Sequence, residues 1–145
     1  MSGDQERDEP TRVDRVHIGE VVERTGLSHR TIRYYEEMGL ISPSARTDGG
    51  FRLYEEADIK RLLLIKPMKP LGFTVEEMGQ LLEALDALQT HSESASAHET
   101  VRAIHTKAQR RITDLRQTIS RAEEFTSTLD AQVAGLPPTN GHAPR

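Results

Sequence analysis

The sequence contains no cysteine, which excludes disulfides, thiolate metal sites, iron–sulfur clusters and cysteine nucleophiles. Long apolar runs are also lacking. The longest aliphatic stretch, residues 62–65, is far too short to cross a bilayer, and residues 1–15 are polar and acidic without the apolar core of a signal peptide. A soluble cytoplasmic protein is expected. No pair of carboxylates is placed for acid/base work, because Glu36-Glu37 and Glu123-Glu124 are adjacent in sequence and diverge in space. An enzyme is therefore not expected, and no cofactor is implied. With 145 residues and 35% hydrophobic content, there is material for one modest core and an appendage.

Positive charge is scarce overall, since the net charge is −4, but it is unevenly spread. Residues 1–10 hold one Arg against four carboxylates, residues 11–70 hold eleven Lys/Arg against nine Asp/Glu, and residues 71–145 hold seven against ten. Local charge governs attraction to phosphate more than the total does, so the middle segment is where a polyanion would be met.

That segment carries the organising pattern. Ser28 is suited to cap a helix and Gly39 to close it, and between them Ile32, Tyr35 and Met38 define an apolar face while Arg30, Arg33, Tyr34 and Glu37 define a polar one. A shorter helix before it, with Ile18, Val21, Val22 and Thr25 inward, stops at Gly26. Two helices across a tight turn make a helix-turn-helix. Downstream, Asp48-Gly49-Gly50 predicts a hairpin turn, with Phe51 and Leu53 packing on one side of the returning strand and Arg52 offered on the other. Such a hairpin forms a wing.

Glu55, Glu56 and Asp58 suit the start of a third helix that buries Ile59, Leu62, Leu63 and Ile65, and Pro67 with Pro70 should bend or end it near Lys66. Thr74 with Glu77 predicts a capping box for a fourth helix, which turns Val75, Met78, Leu82 and Leu85 to one face. Residues 99–134 hold no Gly or Pro and predict a helix roughly 50 Å long at 1.5 Å per residue. Its apolar stripe of Val101, Ile104, Ala108, Ile112, Leu115, Ile119, Ala122, Leu129 and Val133 is best covered by a second copy of the chain. His91, His98 and His105 recur every seven residues, whereas ligands on one helix need spacings of three or four, so these are read as solvated.

The expected organisation is mainly α. A disordered acidic tail over 1–15 is followed by a winged helix-turn-helix domain over 16–89, a linker over 90–98, a dimerisation helix over 99–134 pairing as a coiled coil, antiparallel on the family resemblance given next, and a disordered tail over 135–145.

Residues 16–85 resemble the MerR family of bacterial transcription regulators. The likeness lies in Ile18-Gly19-Glu20-Val21, Thr31-Ile32-Arg33-Tyr34-Tyr35-Glu36, Gly39-Leu40-Ile41, Arg52-Leu53-Tyr54 and Leu71-Gly72-Phe73-Thr74. It implies a homodimer that binds a near-palindromic element in double-stranded promoter DNA, bending and untwisting it so that RNA polymerase can engage promoter elements set too far apart. On this resemblance Arg33 and Tyr34 match DNA-contacting positions and Arg52 a wing contact, with Arg30, Thr31 and Arg46 as neighbours; Ser28, Gly50 and Tyr54 complete the expected DNA-facing set. Side chains of these types can fork onto phosphate or guanine, or hydrogen-bond and stack. Many relatives have polar residues where Pro67 and Pro70 stand, and the family's metal and redox sensors use cysteines that are absent here. Its drug sensors add a C-terminal ligand domain for which no room is expected, so the effector is unknown. Two other classes remain open: an architectural or recombination-directing DNA bender without an effector, and a protein-interaction module.

Overall fold

The structure, a computed structural model, describes residues 15–43 and 45–139, with backbone only at Ala45 and Arg46. The expected acidic tail falls outside the described residues except for Arg15, and so does the end of the chain beyond Thr139. The elements run β1 (Val16–His17), α1 (Ile18–Thr25), α2 (His29–Glu37), β2 (Ala45–Arg46), β3 (Arg52–Tyr54), α3 (Glu56–Ile65), a 3-10 turn (Lys66–Met68), α4 (Val75–Thr90) and α5 (Ala95–Ala134). The described residues divide into two compact units at a boundary within the span of α5, one up to Ile104 and one from His105 onward.

In the first unit α1 and α2 form the expected helix-turn-helix. Gly26 stands at φ 72°, a left-handed conformation that a Cβ disfavours, and its N–H bonds the Val22 carbonyl at 2.8 Å to close α1. Ser28 opens α2 as its cap. Val21, Ile32 and Tyr35 are buried between the two helices and the rest of the core, but Met38 is 52% exposed, contrary to the expected face. The helix ends at Glu37, and the turn through Gly39 swings Met38 outward while Leu40 and Ile41 take up the core positions.

The wing belongs to a three-stranded antiparallel sheet ordered β1-β3-β2. Arg46 pairs with Arg52 on one side of β3, and Val16 pairs with Tyr54 on the other. The turn closes by Thr47 N–H to the Phe51 carbonyl and Gly50 N–H to the Thr47 carbonyl, both 2.8 Å, with Gly50 at φ 81°. The expected orientation of the returning strand fails at Phe51 and Tyr54, while Arg52 and Leu53 are both half-buried. Phe51 is 70% exposed and Tyr54 is fully buried, because Tyr54 must enter the core beneath α2 to reach Glu36.

Helix α3 starts on a capping box in which Asp58 accepts the Glu55 N–H at 2.9 Å, and it buries Ile59, Leu62 and Ile65. Leu63 lies on the outward side of this three-residue cadence and is 47% exposed, so it leaves the expected core set. The α-helix ends at Ile65, where Pro67 enters the 3-10 turn with no N–H to offer. The expected capping box of α4 is present: Thr74 accepts the Glu77 N–H and Glu77 accepts the Thr74 N–H, each at 3.1 Å. The expected linker over 90–98 shrinks to residues 91–94. Ser94 Oγ accepts the Ala97 N–H at 3.3 Å and starts α5 at Ala95, with Ala97 buried beside Ala84 and Ala87 of α4.

Within the second unit, every residue from 109 to 139 is exposed, including Ile112, Leu115, Ile119, Leu129 and Val133. Val101, Ile104 and Ala108, at the start of the expected stripe, are half-buried, and Ala122 is exposed.

Candidate nucleic-acid interface

The outer face of α2 is built from its cap upward. Ser28 Oγ accepts the Thr31 N–H at 3.1 Å and donates to Thr31 Oγ1 at 2.9 Å, so these two expected site hydroxyls are spent largely on starting the helix. One turn on, Arg30, Arg33 and Tyr34 project together; they line a cleft of about 520 Å³ with His29 and Glu37. Tyr34 is 45% exposed, whereas Tyr35 behind it is buried, with ring centroids 6.0 Å apart. Burial above all raises the Tyr35 phenol above its ordinary value.

A second cleft, of about 350 Å³, lies between α2 and the wing and is lined by Arg33, Gly50 and Arg52 together with His17, Ile18, Phe51 and Tyr54. Arg33 thus serves both clefts. A third, of about 490 Å³, brings Arg30, Thr31 and Tyr34 up to Lys69 and Thr74 from the approach to α4. Of the expected residues, Arg30, Thr31, Arg33, Tyr34, Gly50 and Arg52 line these three clefts, which are linked through Arg30, Arg33 and Tyr34, while Ser28 lines none of the three. Arg46 lies in β2 opposite Arg52, but its side chain is outside the described residues.

Tyr54 meets the second cleft only from the core side and is not exposed on it. Its ring is fully buried and its hydroxyl donates to Glu36 Oε2 at 2.9 Å. Burial first, and then this bond to a carboxylate, push the phenol up to about 12. Tyr54, expected to face DNA, is instead a core residue. Glu36 also meets Arg52 Nε at 2.7 Å through its other oxygen, a Coulombic contact in which the N–H is not aligned as a hydrogen bond. Glu36 was missed at the sequence level, since nothing in a helical period distinguishes an inward-reaching glutamate from the solvated Glu37 beside it.

The remaining cations of the domain divide into spent and available. Arg24 forks onto Glu56, with contacts of 2.8 and 2.5 Å, which holds the Glu56 carboxyl below its ordinary value. Arg61 Nη1 donates to both carboxylate oxygens of Asp86, and its Nε donates to the Leu40 carbonyl. Lys66 donates to the Thr25 carbonyl at 2.8 Å, so it caps the C-terminal end of α1. Arg30, Arg33 and Lys69 make no hydrogen bond or ion pair among the described residues. Among the same residues there is no group of three His, Cys, Asp or Glu able to hold a metal ion, and no helix long and apolar enough to cross a membrane.

Residues 16–85 match the family described as "MerR HTH family regulatory protein", and residues 59–131 match "MerR, DNA binding". The chain belongs to the MerR family. It is a DNA-binding transcription regulator and not an enzyme. Among its relatives, the HTH-type transcriptional regulator HmrR of Rhizobium leguminosarum bv. viciae is 41% identical over 115 residues, 79% of this chain and 81% of that protein. The mercuric resistance operon regulatory protein of Bacillus cereus is 45% identical over 69 residues. That alignment spans 48% of this chain and about half, 52%, of the relative. The crystal structure of HiNmlR, a MerR family regulator lacking the sensor domain and bound to promoter DNA, superposes with a TM-score of 0.55 at 18% identity. It covers 83% of this chain and 89% of that one, and at this identity the likeness establishes the MerR fold alone.

Proposed function

We propose that this MerR regulator acts in the bacterial cytoplasm as a homodimer that binds a near-palindromic promoter element, one half-site per winged helix. By distorting the duplex it changes how RNA polymerase engages the promoter. The observation that carries the reading is the convergence of Arg30, Arg33 and Tyr34 of α2 with Arg52 of the wing on one solvent-facing surface, with Arg30 and Arg33 free of internal partners among the described residues. A helix inserted in the major groove with a wing on the flanking backbone uses this set of donors.

In this reading Arg33 and Tyr34 contact DNA directly and Arg30 and Lys69 meet flanking phosphates. Gly50 lets the wing tip come close to the backbone, and Arg46 supports it from β2. Residues 16–89 form the DNA-binding domain. The stripe running from Val101 and Ile104 through Ala108, Ile112, Leu115, Ile119, Ala122, Leu129 and Val133 pairs with the same stripe of a second, antiparallel chain, since those apolar side chains are exposed in the single chain from Ile112 onward.

The test is a selection of duplexes from a random pool by the full chain, followed by titration of the winning duplex. Arg33→Ala is expected to weaken binding by about 1–3 kcal/mol and to lower the salt dependence. Unchanged affinity and unchanged salt slope would remove α2 from the interface.

A further inference from the structure

We infer that Glu36 is a positioning residue for the DNA backbone: it grips the Arg52 guanidinium by its Nε edge and thereby aims the opposite edge into the cleft shared with Arg33. The inference rests on the reading of the α2 and wing surface as the DNA-contacting one.

A carboxylate close to a phosphate-binding surface is electrostatically costly unless it organises a cation. Glu36 belongs to α2, while Arg52 and Tyr54 belong to β3 of the wing, and the two oxygens of Glu36 divide between them. Oε1 lies 2.7 Å from Arg52 Nε and Oε2 accepts the Tyr54 hydroxyl at 2.9 Å. With its carboxylate held at both oxygens, and a side chain only 12% exposed, Glu36 has little freedom to rotate.

The arginine is sided by this contact. Its Nε is fully enclosed, yet 38% of its side chain is exposed and it lines the cleft with Arg33 and Gly50. With Nε enclosed and no hydrogen bond to either terminal nitrogen among the described residues, the outer end of the guanidinium, which carries four of its five donors, is left to the cleft. Two cations from different elements then face one cleft of about 350 Å³, room enough for a phosphate group. Tyr54 fixes Glu36, Glu36 fixes Arg52, and Arg52 meets the backbone. The wing is thereby registered against the reading helix by a charged contact as well as by apolar packing.

The sign of one substitution separates this role from a plain structural tie. Glu36→Gln removes a negative charge near DNA, so if the residue only braces the fold, binding of the folded protein should stay equal or tighten. If Glu36 aims Arg52, binding of the duplex selected by the wild-type chain should weaken about tenfold, and the log–log salt slope should fall in magnitude by about one, the share of one phosphate contact. Adding Arg52→Ala to Glu36→Gln should then cost little more. Equal or tighter binding with an unchanged slope, or a full additional loss from Arg52→Ala, overturns the inference. Should Glu36→Gln melt below the assay temperature, Arg52→Lys decides: its donors share one nitrogen drawn to Glu36 and have no opposite edge to aim, so binding should weaken and the salt slope fall as in Arg52→Ala, and wild-type affinity with an unchanged slope overturns the inference. A wild-type chain that selects no duplex at all overturns the reading of the surface and the inference with it.

Discussion

The Tyr54 hydroxyl, enclosed and bonded to Glu36, makes the domain sensitive to alkali. Its phenol is pushed up to about 12, chiefly by burial and next by the bond to Glu36, so the fold favours the neutral form. The stabilisation from this group is complete below the ordinary tyrosine value of about 10 and is lost as pH rises from there towards about 12. Denaturant titrations over that window should show stability falling in the wild type and a visibly shallower fall in Tyr54→Phe. The variant should also cost about 1–3 kcal/mol at neutral pH, where Glu36 loses a hydrogen bond to its charge. A wild-type slope retained in the variant would mean that another group titrates. At this scale the sequence was informative about surface cations on α2, because Arg30, Arg33 and Tyr34 follow a helical spacing and do share a face. It misjudged Tyr54, Phe51 and Met38. A strand of three residues next to a glycine turn has no period long enough to say which side is inward, and Met38 sits where the helix has already ended.

Elements were more legible than orientations, since their ends are written in residues whose chemistry acts locally. Ser28, Gly26, Gly39 and the Thr74/Glu77 pair cap or close helices as their side chains or missing Cβ atoms dictate. Strand β1 had no such signal: two residues, Val16 and His17, are strand only because β3 offers them partners. The early start of α5 was concealed by the small polar residues around Ser94, which look like a linker but supply a cap and a close fit against α4. Gly26 gives a prediction at this scale. A Cβ there would demand a left-handed backbone of a non-glycine residue and would stand 2.8 Å from Lys66 Nζ, the group that caps α1. The ammonium ends a flexible chain and can move, so Gly26→Ala should cost mainly the backbone strain, about 1–2 kcal/mol, read as a lowered thermal midpoint. A midpoint within error of the wild type would show that the turn between α1 and α2 tolerates a right-handed alternative.

For the whole molecule, the decisive feature is the long α5 with its apolar residues exposed in one chain. Its existence was evident from a long stretch without Gly or Pro. What covers it was not, because a stripe of apolar residues specifies burial without naming the partner. If a second copy does so about a twofold axis, each substitution enters the seam twice. Leu115→Asp should then raise the dimer dissociation constant by 100-fold or more, given about 1.5–3 kcal/mol for each buried leucine, while leaving the far-ultraviolet spectrum of the winged helix in place. Loss of helix without loss of mass would instead assign Leu115 to the stability of the single chain. The most direct test of the central claim is sedimentation equilibrium of the full 16.3 kDa chain with the selected duplex, labelled to count protein separately from DNA. Two chains are expected on each duplex carrying inverted half-sites, with unbound protein already at twice the chain mass; one chain per duplex, with free protein at the mass of a single chain, would rule out the paired reading heads.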